Sequence, residues 1–235
     1  MSSEKTRMRN PPWVSRFLVV YTKITHSMFV RRIALLVVVA AALGFGGSGA
    51  VASSASRVGV IKLDSSKTLV EFRLGGSIHD THGKFQLKDG SIRADPSTGK
   101  AEGTIIVDAA SGDSGDSMRD NRMKDNVLEA AQYPEIIFSA RHIDGHVEKG
   151  GGFRARLEGV LKLHGSEHQI VMETSGTLIG GNLVATAHFS IPYVEWGLKD
   201  PSVLFLTVAK QVDIDIATAG IVTWLASEKV SSHRP

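Results

Sequence analysis

From Thr68 onward, apolar and charged residues alternate in short runs. Val70, Phe72 and Leu74 share one face of Thr68–Leu74, with Glu71 and Arg73 on the other, the period-two signature of a strand with one wet face. Lys84–Lys88 repeats the pattern and is followed by Asp89-Gly90, which predicts a hairpin turn. A second turn is expected over Asp95–Gly99, then a strand over Gly103–Asp108 and another over Glu135–Ile143. Glycines at 150–152 introduce Phe153–Leu163, where Phe153, Ala155, Leu157, Gly159, Leu161 and Leu163 oppose Arg154, Arg156, Glu158 and Lys162. Gly165-Ser166 leads into Gln169–Leu178, Gly180-Gly181-Asn182 into Leu183–Ile191, and a last strand is expected over Val203–Ile216. About eight closely spaced strands, many apolar on one face only, predict a mainly β fold: an antiparallel barrel or sandwich.

One stretch breaks the rhythm. Met118–Phe138 places Met123, Val127 and Leu128 at i, i+4 and i+5, followed by Ala130 and Ala131, with Arg119, Asp120, Arg122, Lys124 and Asp125 around them. This predicts one helix over about 119–131, capped by Ser114 or Ser117 and stopped by Pro134, acting as a lid or a flank packed on the sheet.

The N-terminus carries a different pattern. Ile33–Leu43 is an unbroken apolar run after Arg31-Arg32, and small residues follow up to Ala50-Val51-Ala52. A charged segment, a short apolar segment and an A-x-A site describe an export signal cleaved after Ala52, with Met28 as an alternative start. An uncleaved anchor over 33–52 is the alternative, at about the ~20 residues a bilayer requires. The expected organisation is therefore an extension and signal over 1–52, a barrel domain over 58–219 and a tail over 220–235.

Charge changes the picture once it is divided. Residues 1–52 hold seven of the 27 basic residues and one of the 24 acidic ones, so 53–235 carries a net charge of −3. The overall charge of +3 thus gives no argument for nucleic acid as a partner. With no cysteine, disulfides, thiolate metal sites and thiol nucleophiles are excluded.

Candidate chemistry is sparse. The pairs His79/His82, His142/His146 and His164/His168 have spacings seen in metal sites, but they fall at strand ends and turns. Ordinary polar histidines are the preferred reading, and no metal site is assigned. No G-x-S-x-G elbow marks a nucleophile, and Asp213 and Asp215 share a face of one strand, as solvated carboxylates do. No catalytic residue is assigned. Pro192–Pro201 either folds over a barrel mouth or forms a plain loop packed by Trp196.

Several segments in order carry a resemblance. They are Phe72-Arg73-Leu74, His79–Phe85, Met118-Arg119-Asp120-Asn121-Arg122-Met123, Tyr133–Ser139, Gly159–Gly165, Phe189–Pro192 and Trp196-Gly197-Leu198. Together they make the chain resemble the YceI-like family across roughly residues 58–219. The resemblance implies a lipocalin-like barrel, residence in the periplasm or outside the cell, and a polyisoprenoid or other long-chain amphiphile held inside without catalysis. The candidate ligand-binding positions are the inward apolar residues Phe72, Leu74, Phe85, Leu87, Phe138, Leu157, Leu161, Ile170, Met172 and Ile214. Their pattern alone fits a filled core equally well. No cofactor is expected beyond such a lipid. Contact with a membrane is expected only through an uncleaved N-terminal segment, and a homodimer is left open. The alternative functions are a metal- or haem-related stress protein using the histidines, or an interaction module whose barrel is filled.

Overall fold

In the computed structural model the chain divides into units 1–51 and 52–235. The structure describes residues 57–202 and 207–226, so the segment 1–52 expected to be an export signal or anchor lies outside the described residues. Among the described residues, nine strands form one antiparallel sheet: β1 (Arg57–Leu63), β2 (Leu69–Leu74), β3 (Thr81–Asp95), β4 (Lys100–Asp113), β5 (Glu135–Val147), β6 (Gly152–Leu163), β7 (Ser166–Ile179), β8 (Asn182–Ile191) and β9 (Val212–Ala226). β3 pairs with β4, and β9 pairs with both β1 and β2, so the sheet closes on itself.

The barrel nevertheless has eight staves, because β1 and β2 share one. β1 pairs with Ser91–Ala94 of β3 and Gly220–Ala226 of β9, while β2 pairs with Thr81–Phe85 and Asp213–Ala217 of the same two strands. A 3₁₀ turn, Ser65–Lys67, breaks the stave between them. Asp64 caps this turn by accepting from the Ser66 amide at 3.0 Å, and the hydroxyls of Thr68 and Thr218 meet at 2.7 Å.

The alternation read from the sequence sets which side chains turn inward. On β6, Leu157, Gly159, Leu161 and Leu163 are buried while Arg154, Arg156 and Lys162 face solvent. On β2, Val70 and Phe72 are buried. Outside, Arg73 donates to Asp213 at 3.0 Å across the β2–β9 ladder. The Phe72 ring lies directly over Gly83 on β3. A Cβ at Gly83 would stand 2.4 Å from that ring, so a side chain is excluded there.

Four expectations are corrected. Asp89-Gly90 is not a hairpin turn: both residues stay paired with β4 inside the 15-residue β3, just past a bulge at Lys88. Leu87 pairs with Val107 and Asp89 with Ile106, which leaves one extra residue on β3. Gly90 is needed there because a Cβ would meet the Leu63 side chain at 2.8 Å. The helix is shorter than 119–131: α1 spans Ser117–Arg122 and continues as a π-turn over Met123–Val127. Its cap is Asp116, whose carboxylate accepts from the amides of Met118 and Arg119, both at 3.0 Å. Leu128 N–H bonds to Met123 C=O at 2.9 Å, and Glu129 has φ +47°, so the helix stops well before Pro134. Of the last strand expected over Val203–Ile216, residues 203–206 lie outside the described residues; β9 begins at Val212 and runs to Ala226, ten residues past Ile216. Its added length pairs with β1, the one strand absent from the expectations.

Candidate functional site

An apolar cavity of about 530 Å³ occupies one end of the barrel. Its wall comes from strand ends that antiparallel pairing gathers at that end: Phe72 and Leu74 closing β2, Thr81 and Phe85 opening β3, Ile136 opening β5, Leu163 closing β6, Ile191 closing β8, and Val212 and Ile214 opening β9. Phe72 and Phe85 pack with ring centroids 5.4 Å apart. Leu157, Leu161, Phe138, Ile170 and Met172 are buried in the main core and are not among the residues that line this cavity.

The ten sequence-predicted positions therefore separate into two groups. Phe72, Leu74, Phe85 and Ile214 come together on the cavity wall. Phe138, Leu157, Leu161, Ile170 and Met172 pack in the core, and Leu87, also buried, sits after the first of two irregularities in the β3–β4 pairing. All ten point inward or are buried, but their height along the barrel axis decides which of them meets open space.

The mouth is built by residues the alternation could not supply. Met118, Arg119, Arg122, Met123, Val127 and Leu128 all line the cavity, so the helical segment is a partial lid. The π-turn explains how: widening the helix brings Met123, Val127 and Leu128, at i, i+4 and i+5, toward the barrel together. Met118 is 82 % exposed, which places this rim at the solvent. Tyr193, Leu198, Pro201 and Val208 complete the wall from the β8–β9 connection, so this loop does fold over the mouth. The same loop is also packed by Trp196, whose ring stacks on His168 at 3.9 Å with the planes 1° apart.

Polar contacts pin that loop. Tyr193 Oη donates to Ala209 C=O at 2.8 Å, and burial together with the nearby Asp200 carboxylate pushes its pKa up to about 12. The Asp200 carboxyl is held down at about 2, by Lys210 first and then by Ser202, whose amide donates to it at 3.0 Å. Gly76 forms an isolated bridge with Val208, which ties the β2–β3 connection to the same rim.

The described histidines do not converge. His164 Nε2 meets Glu129 at 3.1 Å, His188 Nδ1 meets Asp215 at 2.8 Å, and His168 belongs to the Trp196 stack. Among the described residues, no group of three or more His, Asp or Glu could hold a metal ion.

A closed antiparallel barrel with an apolar cavity at one end and a short helical lid is a lipocalin-like architecture. The chain belongs to the YceI-like domain family, whose model matches residues 61–219. Solved structures agree on the fold. BcnA from Burkholderia cenocepacia superposes with a TM-score of 0.54 at 20 % identity, covering 67 % of this chain and 98 % of that one. A polyisoprenoid-binding domain from Saccharophagus degradans, implicated in plant cell wall breakdown, superposes with a TM-score of 0.52 at 16 % identity, covering 69 % and 98 % respectively. No curated protein matches the sequence.

Proposed function

We propose that this protein is a carrier that holds a polyisoprenoid or similar long-chain amphiphile by its hydrocarbon tail, without catalysis. The observation that carries this reading is the cavity: about 530 Å³ walled mainly by aliphatic and aromatic side chains, reaching solvent at a rim of exposed residues. A cavity of this size is within the range that holds small ligands, roughly 300–1,000 Å³. Each buried methylene contributes about 0.8 kcal/mol, so a tail can be retained without a specific polar contact. The polyisoprenoid-binding description of the S. degradans domain and membership of the YceI-like family support the choice of ligand class. The signal pattern of residues 1–52 supports action in the periplasm or outside the cell, either free or anchored by the 33–52 segment.

The test is displacement of an environment-sensitive apolar fluorophore from the purified, delipidated protein. Geranylgeraniol should displace it from the wild type. Leu74→Trp, which puts an indole into the cavity from a half-buried position, should abolish fluorophore uptake while preserving the fold by circular dichroism. Uptake unchanged in Leu74→Trp would place the fluorophore elsewhere and remove the support for a carrier.

A further inference from the structure

The cavity wall carries charged side chains only at the lid, and there the two signs are unequal. Two guanidinium groups, Arg119 and Arg122, line it together with one carboxylate, Asp116. They sit three residues apart, hence on neighbouring positions of one helical face. Arg119 is half-buried and fixed in place: Nε donates to Ser114 Oγ at 2.7 Å and Nη2 to Ser114 C=O at 3.0 Å. Those bonds use two of its five N–H donors. Arg122 makes no hydrogen bond or ion pair among the described residues. The nearby acids are already engaged. Asp116 accepts from the Met118 and Arg119 amides, and Asp120 accepts from the amide and hydroxyl of Ser114.

We propose that the amphiphile taken by this cavity carries an anionic head group, a carboxylate or a phosphate, held at the mouth by Arg122 with Arg119 behind it. This deepens the carrier reading and rests on it. A guanidinium presents its donors in a planar fork that matches two oxygens of either anion. With the tail inside the barrel, the head lies where the wall changes from Leu74 and Met123 to the two arginines. A neutral head would leave the Arg122 donors to water; an ammonium head would meet two like charges and one opposite charge.

The test compares four ligands with the same twelve-carbon tail by calorimetry: dodecanoate, dodecyl phosphate, dodecanol and dodecyltrimethylammonium. The wild-type protein should bind both anions about tenfold or more tightly than the alcohol, and the ammonium most weakly. Whichever anion binds more tightly identifies the head-group source. Arg122→Gln, an exposed position outside the core, should reduce the preference for anions over dodecanol to a few-fold; Arg122→Lys should restore part of it. Equal affinity for dodecanoate and dodecanol in the wild type would overturn the anionic head while the carrier reading stands. An undiminished preference in Arg122→Gln would overturn the assignment to Arg122. Failure of all four ligands to bind would overturn the carrier reading itself.

Discussion

If the cavity holds a tail, affinity should climb with tail length and then stop climbing. The perturbation is a homologous series of straight-chain amphiphiles with one head group and tails of ten to twenty-four carbons. A methylene takes about the ~30 Å³ that a water occupies in the liquid, so a cavity of about 530 Å³ holds about eighteen such groups. Each buried group is worth about 0.8 kcal/mol, close to a fourfold change in Kd. A full tail would gain about 14 kcal/mol before association costs, which consume about 4–15 kcal/mol. The assay is competition against the apolar fluorophore, with every ligand kept below its critical micelle concentration. The dissociation constant should fall about fourfold per carbon and level off near eighteen, where further carbons extend past Met118 into solvent. The same series on Leu74→Trp should level off earlier. A flat series, or one that keeps the same slope through twenty-four carbons, would refute a bounded cavity as the binding element.

Other outcomes follow from particular residues. Leu161→Ala, in the buried core at 4 % exposure, should cost about 2–5 kcal/mol in urea unfolding and leave the break in the length series where it is; a shifted break would put Leu161 on the ligand path. Gly83→Ala forces the Phe72 ring to move, because the new Cβ would stand 2.4 Å from it. A loss of about 1–3 kcal/mol and weaker ligand binding are expected, and unchanged values for both would contradict the packing described. The Asp200 carboxyl is lowered from 3.8 to about 2, so its contribution is present above about pH 3.8 and is lost as pH falls toward 2. Trp196 fluorescence should report that loosening, and Asp200→Asn should remove this acid step; an identical acid titration in the variant would count against Asp200. His168→Ala removes the ring stacked on Trp196 and should shift Trp196 emission to the red at neutral pH.

The sequence made the barrel legible because most staves bury one face and expose the other, as Leu157 and Leu161 against Arg154 and Lys162 do. β1 escaped notice because that contrast is absent. Gly59 and Ile61 turn inward while Val58 and Val60 turn outward, so neither face reads as polar. Asp89-Gly90 has the composition of a turn, yet both residues stay in the ladder opposite Ile106 and Ile105, and only those distant partners distinguish strand from turn. The i, i+4, i+5 spacing of Met123, Val127 and Leu128 is visible in the sequence and is what the π-turn aligns, but spacing alone does not separate a π-turn from an ordinary α-helix. The division of inward residues into cavity wall and buried core was not legible. Phe72 and Leu157 obey the same alternation and differ only in distance from the lid, a property of the closed barrel rather than of either strand. Arg119 and Arg122 were visible as charges on the helix, but their place at the mouth depends on how α1 docks over the strand ends.

The most direct test of the carrier reading is native mass spectrometry of the full protein purified from an exporting host without detergent, followed by organic extraction and lipid analysis of the same sample. The predicted result is an added mass matching an extracted species with a long hydrocarbon tail, lost from Leu74→Trp. A clean unliganded mass that stays unchanged after incubation with polyisoprenoids would contradict it.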